Sequence, residues 1–206
     1  MTTASDERHP DRLLLLARQG DDAARGALLE NYRHYLDLLA RLEIGRRLQT
    51  KVDTADVVQE TFLEAHRNLK SFRGSGESEF VAWLRSILSA KVSNMVRHYI
   101  GTQGRDVRRE QALEINLDHS SRLLDRGLFA IGSTPSQHVA KCEVGVLLAA
   151  ALAQLPDDYR EVVVLRHLEE LTFPEVAARM QRSVDSVQKL WVRALLRLKQ
   201  LMRNVE

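Results

Sequence analysis

Apolar residues recur along most of this chain at every third or fourth position, the period of a helix with one buried face. From about residue 11 to 42, LLLLARQGDDAARGALLENYRHYLDLLARL predicts two helices broken at Gly20 and Asp21, with Asp21 or Asp22 as the cap of the second. A further helix covers DTADVVQETFLEAHRNL, residues 53 to 69, where Val58, Phe62, Ala65 and Leu69 fall on one side. In SFRGSGESE, Gly74, Ser75, Gly76 and Ser78 mark a loop. From Phe80, the residues Leu84, Ile87, Leu88, Val92, Met95, Val96 and Tyr99 line one face of a long helix. No segment sustains an alternation of period two, so residues 1–100 read as one helical domain.

Between 101 and 140 the pattern decays into glycines, charges and Ser/Thr/Pro. A structureless stretch of that length is rare inside one compact domain, so it reads as a flexible linker. Periodicity then returns in CEVGVLLAAALAQL, which ends before Pro156, and in DDYREVVVLRHL, residues 157 to 168. LTFPEVAARM places Thr172 three before Glu175, a capping box with Pro174 in the first turn. QRSVD is a short polar connection to a last helix, SVQKLWVRALLRLKQLM. The expected fold class is all-α: two small helical domains, 1–100 and 141–206, joined by a flexible linker over 101–140.

Composition agrees with a globular protein rich in helix: of 206 residues 44% are hydrophobic and 28% charged, while aromatics are only 5% and prolines number 4. The single cysteine, Cys142, excludes an internal disulfide framework and fits a reducing cytosol. MTTASDERHPDR lacks the apolar run of a signal peptide, and no stretch approaches the roughly 18 apolar residues of a membrane helix. The expectation is a soluble, cytoplasmic protein without membrane insertion.

Net charge is only +2, so its distribution carries the information. On the helix from residue 53, Asp53, Asp56, Glu60 and Glu64 gather within about a quarter of the circumference, opposite the apolar side. The last helix is the reverse. Val187, Leu190, Trp191, Ala194, Leu198 and Leu201 share one side, with Lys189, Arg193, Arg197 and Arg203 roughly opposite. Between 179 and 203 seven cations face one acid, Asp185. A short helix, a tight connection and a longer basic helix make a helix-turn-helix, whose second helix enters the DNA major groove. Lys and Arg there neutralise phosphates, while Asp185, Ser186, Gln188 and Lys189 at the helix start are placed for base edges; Gln suits adenine and Lys guanine.

Both ends resemble the bacterial sigma factors of the extracytoplasmic-function (ECF) group. DTADVVQETFLEAHRNLKSFRG and FVAWLRSIL resemble the family's region 2; ALAQLPDDYREVVVLRHLEELTFPEVAARM followed by SVDSVQKLWVRALLRLKQL resembles region 4. The resemblance implies that Asp53, Asp56, Gln59 and Glu60 dock on core RNA polymerase. It implies that the loop at residues 73 to 79 catches an unstacked promoter base, with Arg73, Arg85, Lys91, Asn94, Arg97 and His98 on the minus-ten element. Phe80 and Trp83 read as core residues. Arg182, Asp185, Ser186, Gln188, Lys189 and Arg193 would serve the minus-thirty-five element. The linker's Arg105, Arg108 and Arg109 are implied to touch nucleic acid near the RNA exit path. Core polymerase and promoter DNA are the implied partners; whether an anti-sigma factor restrains the chain is left open by these residues.

Some positions depart from the family pattern. Ala90 replaces a frequent Asn, Asn94 and His98 replace a common Asp and Arg, and Gln181 stands where a turn glycine is usual. A rival reading is a stand-alone helix-turn-helix regulator that binds duplex DNA as a dimer. Catalysis is not expected: Asp157 and Asp158 are neighbours that point about 100° apart on a helix, and the histidines show no metal spacing. No cofactor, metal or small-molecule substrate is expected.

Overall fold

The computed structural model describes residues 9–45, 53–100 and 138–203, except for the side chains at 45, 96–100 and 138–143. It divides into two units, Met1–His119 and Ser120–Glu206. All regular structure among the described residues is helical. Arg105, Arg108 and Arg109 of the linker, and the side chains of Arg97, His98 and Cys142, lie outside the described residues.

The first unit contains α1 (Pro10–Arg18), α2 (Asp22–Glu30), α3 (Arg33–Gly45), α4 (Thr54–Asn68) with a 3-10 turn at Leu69–Ser71, and α5 (Glu77–Ile100). Gly20 has φ 98, and the Asp21 side chain accepts the Ala24 N–H at 2.9 Å, as the break and cap in the sequence suggest. The expected second helix is two, because the chain turns at Asn31–Tyr32. That turn carries no Gly or Pro. It buries the Tyr32 ring while its hydroxyl donates to Glu77 of α5 at 3.0 Å.

α4 packs on α3 and α5. Val58, Phe62, Ala65 and Leu69 are buried as the periodicity requires, and Val57 and Thr61 join them. Thr61 is tolerated there because its hydroxyl donates to the Val57 carbonyl at 2.8 Å, leaving no unsatisfied donor. From α5, Phe80, Val81, Leu84, Leu88 and Val92 are buried, each large side chain contributing about 1.5–3 kcal/mol.

The second unit contains α6 (His138–Ala153), α7 (Asp157–Val163) running into a π-helical turn at Val164–Leu168, α8 (Phe173–Arg179) and α9 (Val184–Arg203). The wider turn, where the Glu169 N–H bonds the Val164 carbonyl at 3.0 Å, replaces the regular end expected for that helix. It brings Val164, Leu165 and Leu168 into the core together. At the start of α8 the Glu175 carboxylate accepts both the Thr172 N–H (2.7 Å) and its hydroxyl (2.6 Å), and these bonds lower its pKa. α9 packs against α6, α7 and α8 through Val187, Ala194 and Leu198.

Candidate docking face and nucleic-acid interface

On α4, Asp53, Asp56, Gln59 and Glu60 are all exposed, on the side away from the buried stripe. Asp53 also caps the helix, accepting the Ala55 N–H at 2.9 Å. Leu63, 47% exposed, gives this face an apolar patch one turn beyond Gln59 and Glu60. Glu64 belongs elsewhere: it pairs with Lys91 of α5 at 3.3 Å and accepts from Asn68 at 2.6 Å. The Lys91 contact, then Asn68, hold its carboxyl below the usual range. The outward acidic row is therefore shorter by one turn than the wheel suggests, and Lys91 is a cation with a partner.

Of the other residues expected at melted DNA, Arg73 and Asn94 are exposed and Arg85 is half-buried. The loop before α5 is tied down on both sides. Glu79 accepts from the Ser75 backbone N–H and, at 2.9 Å, from its hydroxyl, and these bonds lower its pKa. Phe72 stands edge-on to Phe80 with ring centroids 5.5 Å apart and 5.2 Å from Trp83. Phe80 is fully buried, but Trp83 is only partly so and belongs to this cluster beneath the loop.

The basic helix α9 begins at Val184, two residues before the expected start, because the Ser183 hydroxyl accepts the Ser186 N–H at 3.2 Å. Asp185, Gln188, Lys189 and Arg193 are exposed; Ser186 is half-buried beside the cap. Arg182 is exposed in the turn and pairs with Asp158 at 2.5 Å; Lys189 pairs with Asp185 at 2.7 Å. The turn itself needs Gln181 at φ 53, the left-handed conformation that glycine adopts at no steric cost. Trp191 anchors the inner side of α9, edge-on to Phe173 with centroids 5.5 Å apart.

An exposed acidic helix face in one unit and a helix-turn-helix with an exposed basic helix in the other are features that a DNA-directed regulator would present. Residues 31–99 match the family model "Sigma-70 region 2", and residues 146–198 match "Sigma-70, region 4". The "ECF RNA polymerase sigma-E factor" of Haemophilus influenzae is 31% identical over 180 residues, 86% of each chain. The protein of the same name from Escherichia coli strain K12 is 30% identical over 189 residues, 91% of this chain and 92% of that one. A solved structure of CnrH in complex with the cytosolic domain of CnrY is similar at 25% identity over 96% of this chain, with a TM-score of 0.36. The chain belongs to the ECF group of sigma-70-type RNA polymerase sigma factors. The region 2 match disfavours a stand-alone duplex-binding regulator, which has no use for that domain. No described helix is long and apolar enough to cross a membrane.

Proposed function

We propose that this sigma factor divides its work between its two ends. Asp53, Asp56, Gln59 and Glu60 dock on a basic surface of core RNA polymerase, where exposed carboxylates steer association and fix register. The loop at residues 73–79 and α5, through Arg73, Arg85, Lys91, Asn94, Arg97 and His98, hold the melted minus-ten element, with an unstacked base caught in the loop. Arg182, Asp185, Ser186, Gln188, Lys189 and Arg193 address the minus-thirty-five element in the duplex major groove. Domains at 1–100 and 141–206, with a linker over 101–140, suit that division. The polymerase performs the chemistry. This chain acts in the cytoplasm without a catalytic group, cofactor or small-molecule substrate of its own.

The observation that carries this reading is the opposed charge of two exposed helix faces: acids on α4, whose other side is buried, and cations on α9, whose other side is buried. Run-off transcription from a genomic promoter library, with core polymerase and with or without the protein, tests the whole assignment. Asp56→Lys combined with Glu60→Lys tests the docking face. Expected is loss of co-elution with core polymerase while the full-length variant still binds duplex DNA; unchanged co-elution refutes the assignment.

A further inference from the structure

Arg18, at the end of α1, reaches a loop 56 positions away in the sequence. Its guanidinium donates to the Gly74 carbonyl and lies over the Phe72 ring, 5.2 Å from the centroid. A long cation at a helix end would ordinarily extend into water. Here it holds one backbone oxygen and one aromatic face of the same loop. Gly74 leaves that loop no slack, because a Cβ there would overlap the Phe72 ring and come within 2.7 Å of the Glu79 Cβ. On the far side, Glu79 holds the N–H and hydroxyl of Ser75. Phe72 is itself seated on Phe80 and Trp83. Residues 72 to 76 are thus clamped between α1 and α5, and the α1 side of the clamp is Arg18.

We propose that Arg18 is a positioning residue for promoter opening: it presets the Phe72–Gly76 backbone in the shape that receives an unstacked base, without touching that base. The inference rests on the proposed reading of the loop. Its physical basis is preorganisation, since a pocket already shaped loses less freedom when the base enters. α1, which carries none of the residues implied in polymerase or DNA contact, thereby acquires a part in initiation.

The test uses holoenzyme assembled from core polymerase and the full-length protein, on forked promoter fragments whose unpaired non-template segment is randomised. Wild type should select a base at one unpaired position. Arg18→Ala should reduce that preference by about tenfold, within the range one base-stacking contact supplies. Co-elution with core polymerase and binding to the duplex upstream element should be unchanged. Arg18→Lys keeps a cationic donor for the Gly74 carbonyl and should restore part of the preference. Gly74→Ala should weaken selection at the same position, and the double variant should be no worse than Gly74→Ala alone, because both act through one loop. Retained preference in Arg18→Ala, additive losses in the double variant, or loss of core binding with Arg18→Ala would each overturn the proposal. Absence of any single-base preference in wild type would instead overturn the reading of the loop, and the role of Arg18 with it.

Discussion

Trp191 on α9 donates its indole N–H to Nε2 of His167 at 2.9 Å, and the two rings lie edge to edge, 22° from coplanar with centroids 5.8 Å apart. Accepting at Nε2 requires a neutral imidazole with its proton on Nδ1. Burial, and then the neighbouring Arg166 cation, push the His167 pKa below its ordinary value of 6.5. As pH falls the unfolded chain therefore takes up the proton first. Stability of the second unit should be full above about 6.5, decline as pH falls from there toward the folded-state pKa, and level off below it. Urea unfolding at about pH 8 and about pH 5.5, followed by tryptophan fluorescence, reads this loss. His167→Gln, whose amide oxygen still accepts from Trp191, should remove that part of the pH dependence.

Removing the donor tests the same contact from the other side. Trp191→Phe keeps an aromatic ring against Phe173 and leaves His167 Nε2 without its bond. A cost of about 1–3 kcal/mol in the urea unfolding free energy is expected.

Gly74→Ala should destabilise the first unit by about 1–3 kcal/mol, the ordinary penalty for forcing a methyl into occupied space. Gly76→Ala is the control. A Cβ there meets nothing nearer than an Asp11 carboxylate oxygen at 3.9 Å, so its unfolding midpoint should stay close to wild type.

Gln181→Gly should stabilise the second unit by about 1 kcal/mol, because φ 53 costs an L-residue energy that glycine does not incur. Glu170, at φ 57 in the turn before α8, should respond in the same direction. Thermal unfolding checks both, and duplex binding by the Gln181→Gly variant should be unaltered.

Arg193→Ala should weaken binding to all duplex sequences alike and lower the slope of log affinity against log salt by about 0.9, the signature of one lost phosphate contact. Gln188→Ala should leave that slope unchanged and reduce discrimination at one base pair, by about 1–3 kcal/mol if its contact is bidentate. Filter binding across a salt series separates the two. Equal slopes for Arg193→Ala and wild type would remove Arg193 from the interface.

The helical class and both charged faces were legible in the sequence because they depend on periodicity alone: an apolar stripe fixes which side is inward, and Asp56, Glu60, Lys189 and Arg193 follow from it, whereas Gln59 came only from the family resemblance. Caps at Asp21 and Glu175 were legible for the same reason, being local in sequence. What periodicity misses is what depends on a second element. Glu64 sits on the acidic side of its own wheel, yet Lys91, 27 positions later, claims it. The turn at Asn31–Tyr32 interrupts an unbroken apolar pattern because Tyr32 is drawn toward Glu77, and the π-helical turn at Val164 has no Gly or Pro to announce it. Nothing near Arg18 in sequence names Phe72 or Gly74 as its partners.

The ion pairs of Arg182 with Asp158 and of Lys189 with Asp185 mean that two cations of the proposed duplex-binding surface already have carboxylates within reach. Any DNA group that took either cation, a phosphate or a base edge, would first have to displace a carboxylate, so the gain would be a difference between two attractions rather than a whole one. On the proposed reading, such a surface would hold arbitrary duplex less tightly than a row of unpaired cations. Selectivity would then rest on contacts that a carboxylate cannot imitate.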